Sequence, residues 1–244
     1  MPPIKNTRIL IIGGSSGIGL GVADKCLEEG ATVHIASSNS SRVQETTTSL
    51  AQKHPGAKIS GHVCDLSGDD VEERLAALLE AVKPLDHVVF TAGDRLAIQP
   101  LENVTLDSIR RAGHIRFVVP LLLAKLAPRY MSPGFKSSIT LTTGAIADKP
   151  MPGWSLVNGY MTGMHGMTKN LALDLKPLRV NIVSPGAVRT PLWGSDEAAE
   201  AAGAKSLTGK VGTVEEVAEA YVYLMKDSNA TGSCVSTNSG TPLL

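Results

Sequence analysis

The sequence predicts an α/β chain: a doubly wound parallel sheet with helices on both faces. Three observations lead there. Short apolar, β-branched runs alternate with helical patterns along most of the 244 residues. The segments between the runs are long enough to hold crossover helices. A glycine-rich turn separates the first run from the first helix. Strands joined through helices of about ten or more residues imply right-handed crossovers, and hence a parallel sheet covered on both sides.

Each element has its own pattern. Arg8–Ile12 reads as the first strand, and a helix runs from Gly17 to Glu29, closed by Gly30. Thr32–Ala36 is the second strand, followed by a helix over Ser41–His54. Lys58–Val63 is the third, and Gly68–Val82 is a helix with Leu75, Leu78, Leu79 and Val82 on one face. His87–Thr91, Ser138–Thr142 and Arg179–Val183 continue the strands, with long helices over Leu106–Tyr130 and Ser155–Leu175. Thr213–Met225 opens on a Thr-x-x-Glu capping box, and Gly232–Thr237 is the last strand. No repeat or linker divides the chain, so residues 1–244 are expected to form one domain. The Ala- and Gly-containing stretch 191–212 is either a flap over a site or a surface insertion.

Composition narrows the function. Lys+Arg and Asp+Glu are both 23, so nothing favours a nucleic-acid backbone as partner. The longest apolar run, Phe117–Ala124, contains Pro120 and falls far short of the ~18 residues a membrane span needs. Met1–Thr7 is short and polar, without a signal-peptide core. Three scattered cysteines without CxxC spacing read as reduced thiols of a cytoplasmic protein. The histidines include no i, i+4 pair, so no metal site is expected.

The turn Gly13-Gly14-Ser15-Ser16-Gly17-Ile18-Gly19 has the spacing of a pyrophosphate cradle at a helix N-terminus. An NAD site usually carries Asp or Glu at the end of the second strand. Here the residues are Ser37-Ser38-Asn39-Ser40-Ser41-Arg42, whose hydroxyls, amide and guanidinium suit a 2′-phosphate, so NADP(H) is the expected cofactor. Asp65, beside Leu66 after the third strand, either accepts from the adenine amine or caps the helix from Leu66 onward.

These residues, with Thr91-Ala92-Gly93 and the segment Asn181–Thr190, resemble the short-chain dehydrogenase/reductase family from Ile9 to Gly240. The resemblance implies a Rossmann-type sheet of seven strands, a small-molecule substrate, and commonly a homodimer or homotetramer. It also places Ala92, Gly93, Pro185, Gly186, Val188 and Thr190 on the cofactor.

The family's catalytic set is Asn, Ser, Tyr and Lys, the last two as Tyr-x-x-x-Lys. No such pair exists here, because Gly134, Met164, Met225 and Asp227 stand four residues after the tyrosines. Registering the helix on Gly166–Leu175 puts Val157 at the Tyr, Met161 at the Lys, Gly144 at the Ser and Arg116 at the Asn. A positioned general acid contributes roughly 10²–10⁴ in rate, so ordinary ketone reduction is expected to be slow.

Arg116 is the candidate replacement group, either holding a substrate carbonyl or carboxylate or filling the Asn's place against the cofactor. An arginine near an iminium carbon would repel it unless an anion or carbonyl intervened. Trp154 is a candidate to stack on a planar or cationic substrate, or a packed loop anchor. Tyr160 is the remaining candidate acid, although i+3 turns it ~60° from Val157. Trp193 could close over substrate.

The pattern is similar to an atypical fungal branch of the family that includes reductase/Diels–Alderases of indole alkaloid biosynthesis. Those enzymes lack the Tyr/Lys pair, and their functional Arg and Trp match Arg116 and Trp154, while their Asp falls at Met151. The resemblance implies NADPH-dependent hydride delivery to an imine, iminium or activated intermediate of specialised metabolism. A non-redox cyclase or isomerase and an NADP(H)-binding pseudoenzyme are the alternatives.

Overall fold

The computed structural model describes all residues, Met1–Leu244. Seven parallel strands form one sheet in the order β3-β2-β1-β4-β5-β6-β7. They are β1 (Arg8–Ile12), β2 (Thr32–Ser37), β3 (Lys58–Val63), β4 (His87–Phe90), β5 (Ser138–Thr142), β6 (Arg179–Pro185) and β7 (Cys234–Thr237). β1, β4 and β6 are buried on both faces, which is why they read as largely apolar runs. The strand order reverses between β1 and β4. Open α/β sheets bind ligands at the C-terminal strand ends of that point.

Helices α1 (Gly17–Glu28) and α8 (Val214–Lys226) pack together over one face, around Ile9, Ile11, Val33, Ile35 and Tyr221. The helix α2 (Ser40–Lys53) approaches β3 closely, because Gly61 carries no side chain: a Cβ there would stand 2.5 Å from Val43 Cγ1. The other face is covered by α3 (Val71–Val82), the broken helix α4 (Leu106–Gly113) and α5 (Val119–Leu126), and α6 (Ser155–Asp174). Its core holds Leu10, Leu75, Val88, Leu123, Ile139 and Met164. No helix is long and apolar enough to cross a membrane.

Four departures from the expected elements have local causes. The helix expected over Leu106–Tyr130 is interrupted by a π-turn at His114–Val118 and ends in a 3-10 turn at Ala127–Arg129. Pro120 has no N–H for the carbonyl of Arg116, and its ring crowds that carbonyl, so the helix widens just upstream. The helix after β3 begins at Val71 rather than Gly68, because Asp65 Oδ1 accepts from the Ser67 amide and holds the chain in a turn. The last strand begins at Cys234, since Gly232 has φ +66° and cannot extend the ladder. The stretch 191–212 contains an unexpected helix, α7 (Asp196–Gly203), capped by Ser195 and opened by Asp196 and Glu197.

Candidate active site

The cradle is built from close approach. A Cβ at Gly13 (φ +94°) would lie 2.5 Å from Ala92 N, and one at Gly19 would lie 2.3 Å from Gly13 O and 2.5 Å from Thr91 Oγ1. Glycine at these positions lets the turn sit against the end of β4, where Thr91 Oγ1 donates to Ile12 O. Ser15 is buried, and its carbonyl accepts from Thr46 Oγ1. Ser16 is the N-cap of α1 but makes no side-chain cap, so the first amides of the helix, from Gly17 and Ile18 onward, have no side-chain acceptor. Across the turn, Thr190 Cγ2 would lie 3.3 Å from a Cβ at Gly17.

At the end of β2, Asn39 and Arg42 are exposed and Ser38 is exposed beside them, and no ion pair engages Arg42. Asn39 Oδ1 accepts from the Arg42 amide at 2.8 Å and so caps α2. Only its Nδ2 is left to face a ligand. Asp65 is held below the ordinary carboxylate range by its bonds to Ser67. Leu66 is buried, and its carbonyl accepts from His114 Nε2 at 2.8 Å, which ties this loop to the π-turn. On the far side, Pro185 and Val188 are buried, and a Cβ at Gly186 would meet Asn238 Cα at 2.7 Å.

This arrangement fits a dinucleotide. The cradle has no room for side chains, a helix N-terminus faces it without a side-chain cap, and no carboxylate stands among Ser37–Arg42 to oppose a 2′-phosphate.

Beyond the cradle the site is apolar where a proton donor would be useful. Val157 and Met161 turn inward on α6 and are 2% and 6% exposed. Thr143 Oγ1 donates to Met161 O at 2.8 Å. Gly144 is open, with its nearest atoms to a built Cβ being Pro185 O at 3.8 Å and Ile146 Cγ2 at 3.9 Å.

Arg116 lies at the centre of the π-turn with its guanidinium against Gly93, where a Cβ would be 2.8 Å from Cζ, Nη1 and Nη2. Its Nε donates to Asp94 Oδ1 at 3.0 Å, and Nη2 donates to the Asp94 carbonyl. Burial pulls the guanidinium below its ordinary range, with Asp94 acting against the shift; an arginine remains charged regardless. Asp94 is not among the residues that the sequence singles out. Its one signal is a carboxylate directly after Thr91-Ala92-Gly93, and nothing local links it to an arginine 22 residues away.

Tyr160, the candidate acid, is engaged in packing. Its hydroxyl donates to Ile109 O at 2.9 Å, and its ring packs on Phe117 at 5.5 Å between centroids. A Cβ at Gly113 would lie 2.4 Å from Tyr160 Cζ, so the ring is wedged against α4. Trp154 starts α6 and lines a groove of about 520 Å³ with Met151, Ser155, Asn158 and Thr162. At ~100° per residue, the groove-lining Ser155, Asn158 and Thr162 lie on a different face of α6 from Val157. Trp193 Nε1 donates to Val188 O at 2.9 Å.

A doubly wound sheet with a dinucleotide cradle at its switch point is the scaffold of a nicotinamide-dependent oxidoreductase. The chain belongs to the short-chain dehydrogenase/reductase family: the profile described as an SDR-like Rossmann domain matches residues 2–244. It is 43% identical over 250 residues to the short-chain dehydrogenase/reductase malC of Malbranchea aurantiaca, covering 97% of this chain and 95% of that protein. It is likewise 43% identical to the short-chain dehydrogenase/reductase ATR9 of Stachybotrys chlorohalonatus, with 98% of both covered. Among solved structures, the MalC reductase/Diels–Alderase from Malbranchea aurantiaca superposes with a TM-score of 0.92 over 99% of this chain and 98% of that one.

Proposed function

We propose that this protein is an NADP(H)-dependent oxidoreductase that reduces an imine, iminium or similarly activated intermediate of specialised metabolism. One observation carries the reading: the positions that the family gives to Tyr and Lys hold buried Val157 and Met161. Ser15, Ser16, Gly17, Ile18 and Gly19 would hold the pyrophosphate, and Ser38, Asn39 and Arg42 the 2′-phosphate. Asp65 and Leu66 would flank the adenine, and Thr91–Gly93 with Pro185–Thr190 the nicotinamide end. When bound, the reduced cofactor supplies a hydride.

The side chains at positions 143, 144, 157, 160 and 161 offer no free proton donor for a ketone. Val157, Met161 and Gly144 have none, Thr143 donates to Met161 O, and Tyr160 donates to Ile109 O. A cationic C=N carbon becomes neutral on accepting hydride and needs no acid. The apolar walls also exclude water from a species that would hydrolyse. The stretch 191–212 serves as the flap over this end, the protein works in the cytoplasm as a homodimer or homotetramer, and neither metal nor nucleic acid takes part.

The test is consumption of NADPH with a panel of cyclic iminium salts and matched ketones. Oxidation with the iminium salts alone is expected; equal rates with ketones would refute the reading. The likeness to a reductase/Diels–Alderase favours a second reading, a non-redox cyclase whose bound dinucleotide is a wall of the pocket. That reading expects product with NADP⁺ and NADPH alike.

A further inference from the structure

Arg116 and Asp94 are arranged in depth. The Arg116 side chain is 14% exposed and that of Asp94 is 41% exposed. The guanidinium lies against the backbone of Gly93 and spends Nε and Nη2 on Asp94 itself, one on the carboxylate and one on the carbonyl. The second carboxylate oxygen, Oδ2, makes no hydrogen bond within the chain. The more exposed member of the pair is therefore the carboxylate, with the more deeply buried arginine as its support.

Its position is set by the fold. Asp94 lies four residues beyond the end of β4, just past Ala92, whose amide packs against the cradle at Gly13. It therefore stands at the carboxyl ends of the strands, beside the switch point where a ligand of this sheet class binds.

The local charge changes in one direction. Methionine at position 161 leaves no ammonium at the substrate end, and Arg116 is compensated by the residue that it holds. A substrate atom approaching Oδ2 would be nearer to the carboxylate than to the guanidinium behind it. Close to Oδ2 the pair favours positive over negative charge, although it is neutral overall and is followed in the chain by the exposed Arg95.

We propose that Asp94 is the substrate-anchoring residue that receives a cationic carbon–nitrogen group, and that Arg116 is its positioning residue. This deepens the iminium reading above and rests on it for the substrate class. The prediction differs from that of an arginine that binds substrate directly, which would select a carbonyl or carboxylate.

The test is equilibrium binding to the full chain, with and without saturating NADP⁺, followed by calorimetry. Three flat probes of similar size are used: 2-methylisoquinolinium (cationic), 2-methylisoquinolin-1-one (neutral) and 1-naphthoate (anionic). The wild type is expected to favour the cation over the neutral probe by up to about fivefold, in line with one partly exposed charge contact. Asp94→Asn, a near-isosteric change at a half-exposed site, is expected to abolish that preference while leaving NADP⁺ affinity within about twofold. Arg116→Lys keeps the charge but not the two-pronged hold, and is expected to reduce the ratio several-fold; a role in folding alone would leave the ratio unchanged. Parity among the probes in the wild type, a preference for naphthoate, or an unchanged ratio in Asp94→Asn would each overturn the proposal. The measurement needs no turnover. Selective cation binding without iminium reduction would sink the hydride reading and spare this one, and reduction with an unchanged ratio would do the reverse.

Discussion

Replacing Met161 with lysine installs the residue type that the sequence register on Gly166–Leu175 assigns to this position and probes how apolar its surroundings are. Met161 is 6% exposed, and the polar neighbour of its side chain is the Thr143 hydroxyl, 3.7 Å from Sδ. A lysine confined there without a counter-charge gives up its proton. Discharging an amine of ordinary pKa ~10.4 at pH 7 costs about 3.4 × 1.36, or roughly 4–5 kcal/mol. Partial escape of the long chain toward solvent lowers this, so a loss of about 3 kcal/mol or more is expected in the absence of cofactor. The sign comes from linkage: a lysine with a depressed folded-state pKa destabilises most at low pH, and the deficit shrinks by ~1.4 kcal/mol per unit as pH rises toward 10. Urea unfolding of wild type and variant at pH 7 and pH 9 measures it directly. A deficit under about 1 kcal/mol with no pH dependence would show that position 161 reaches solvent, and the inference of a dry, donor-free pocket would fail.

Two further outcomes are expected. Ser38→Asp places a carboxylate at the exposed end of β2 and should weaken NADPH by about tenfold while leaving NADH nearly unchanged, as read by calorimetry; equal loss of both would remove the 2′-phosphate from this position. His87 is buried, with Nδ1 2.8 Å from Ser138 Oγ, and burial lowers its pKa to about 4. A depressed histidine holds the fold at full strength above its unfolded pKa of ~6.5 and costs up to about 3 kcal/mol as pH falls toward 4. The unfolding free energy should therefore drop more steeply over that window in the wild type than in His87→Gln, and parallel pH profiles would refute it.

Most of the fold is legible because it is written in local patterns. Apolar β-branched runs mark the strands, and Thr213 with Glu216 marks the start of α8, where both halves of the capping box form. The glycine turn is legible for the same reason: the absence of side chains at Gly13 and Gly19 has one steric meaning once a strand precedes and a helix comes after. What escapes is set by tertiary contact. Pro120 is visible in the sequence, but its effect, a widened turn that places Arg116 against Gly93, depends on the helix being held at both ends. The Tyr160 hydroxyl reads as available for acid chemistry because its acceptor, Ile109 O, lies 51 residues away. Asp94 reads as an ordinary loop carboxylate for the same reason.

On the proposed reading, the absence of a Tyr-x-x-x-Lys pair is a change of chemistry rather than damage to a scaffold. A decayed site would be expected to show voids or backbone that no longer accommodates the lost side chains. Here the space is filled: Val157 and Met161 are buried, and Thr143 is bonded to the helix that carries them. Nor does the backbone exclude a serine at position 144, where a Cβ would meet nothing closer than 3.8 Å. The cradle meanwhile keeps the close approaches at Gly13 and Gly19 that a dinucleotide needs. On the reading proposed above, a chain that keeps a dinucleotide cradle and packs apolar Val157 and Met161 on α6 suits an acceptor that arrives already activated. On that reading, positive charge on the substrate would do the work that a tyrosine does for a ketone, and the protein's share would reduce to holding that charge and keeping water away.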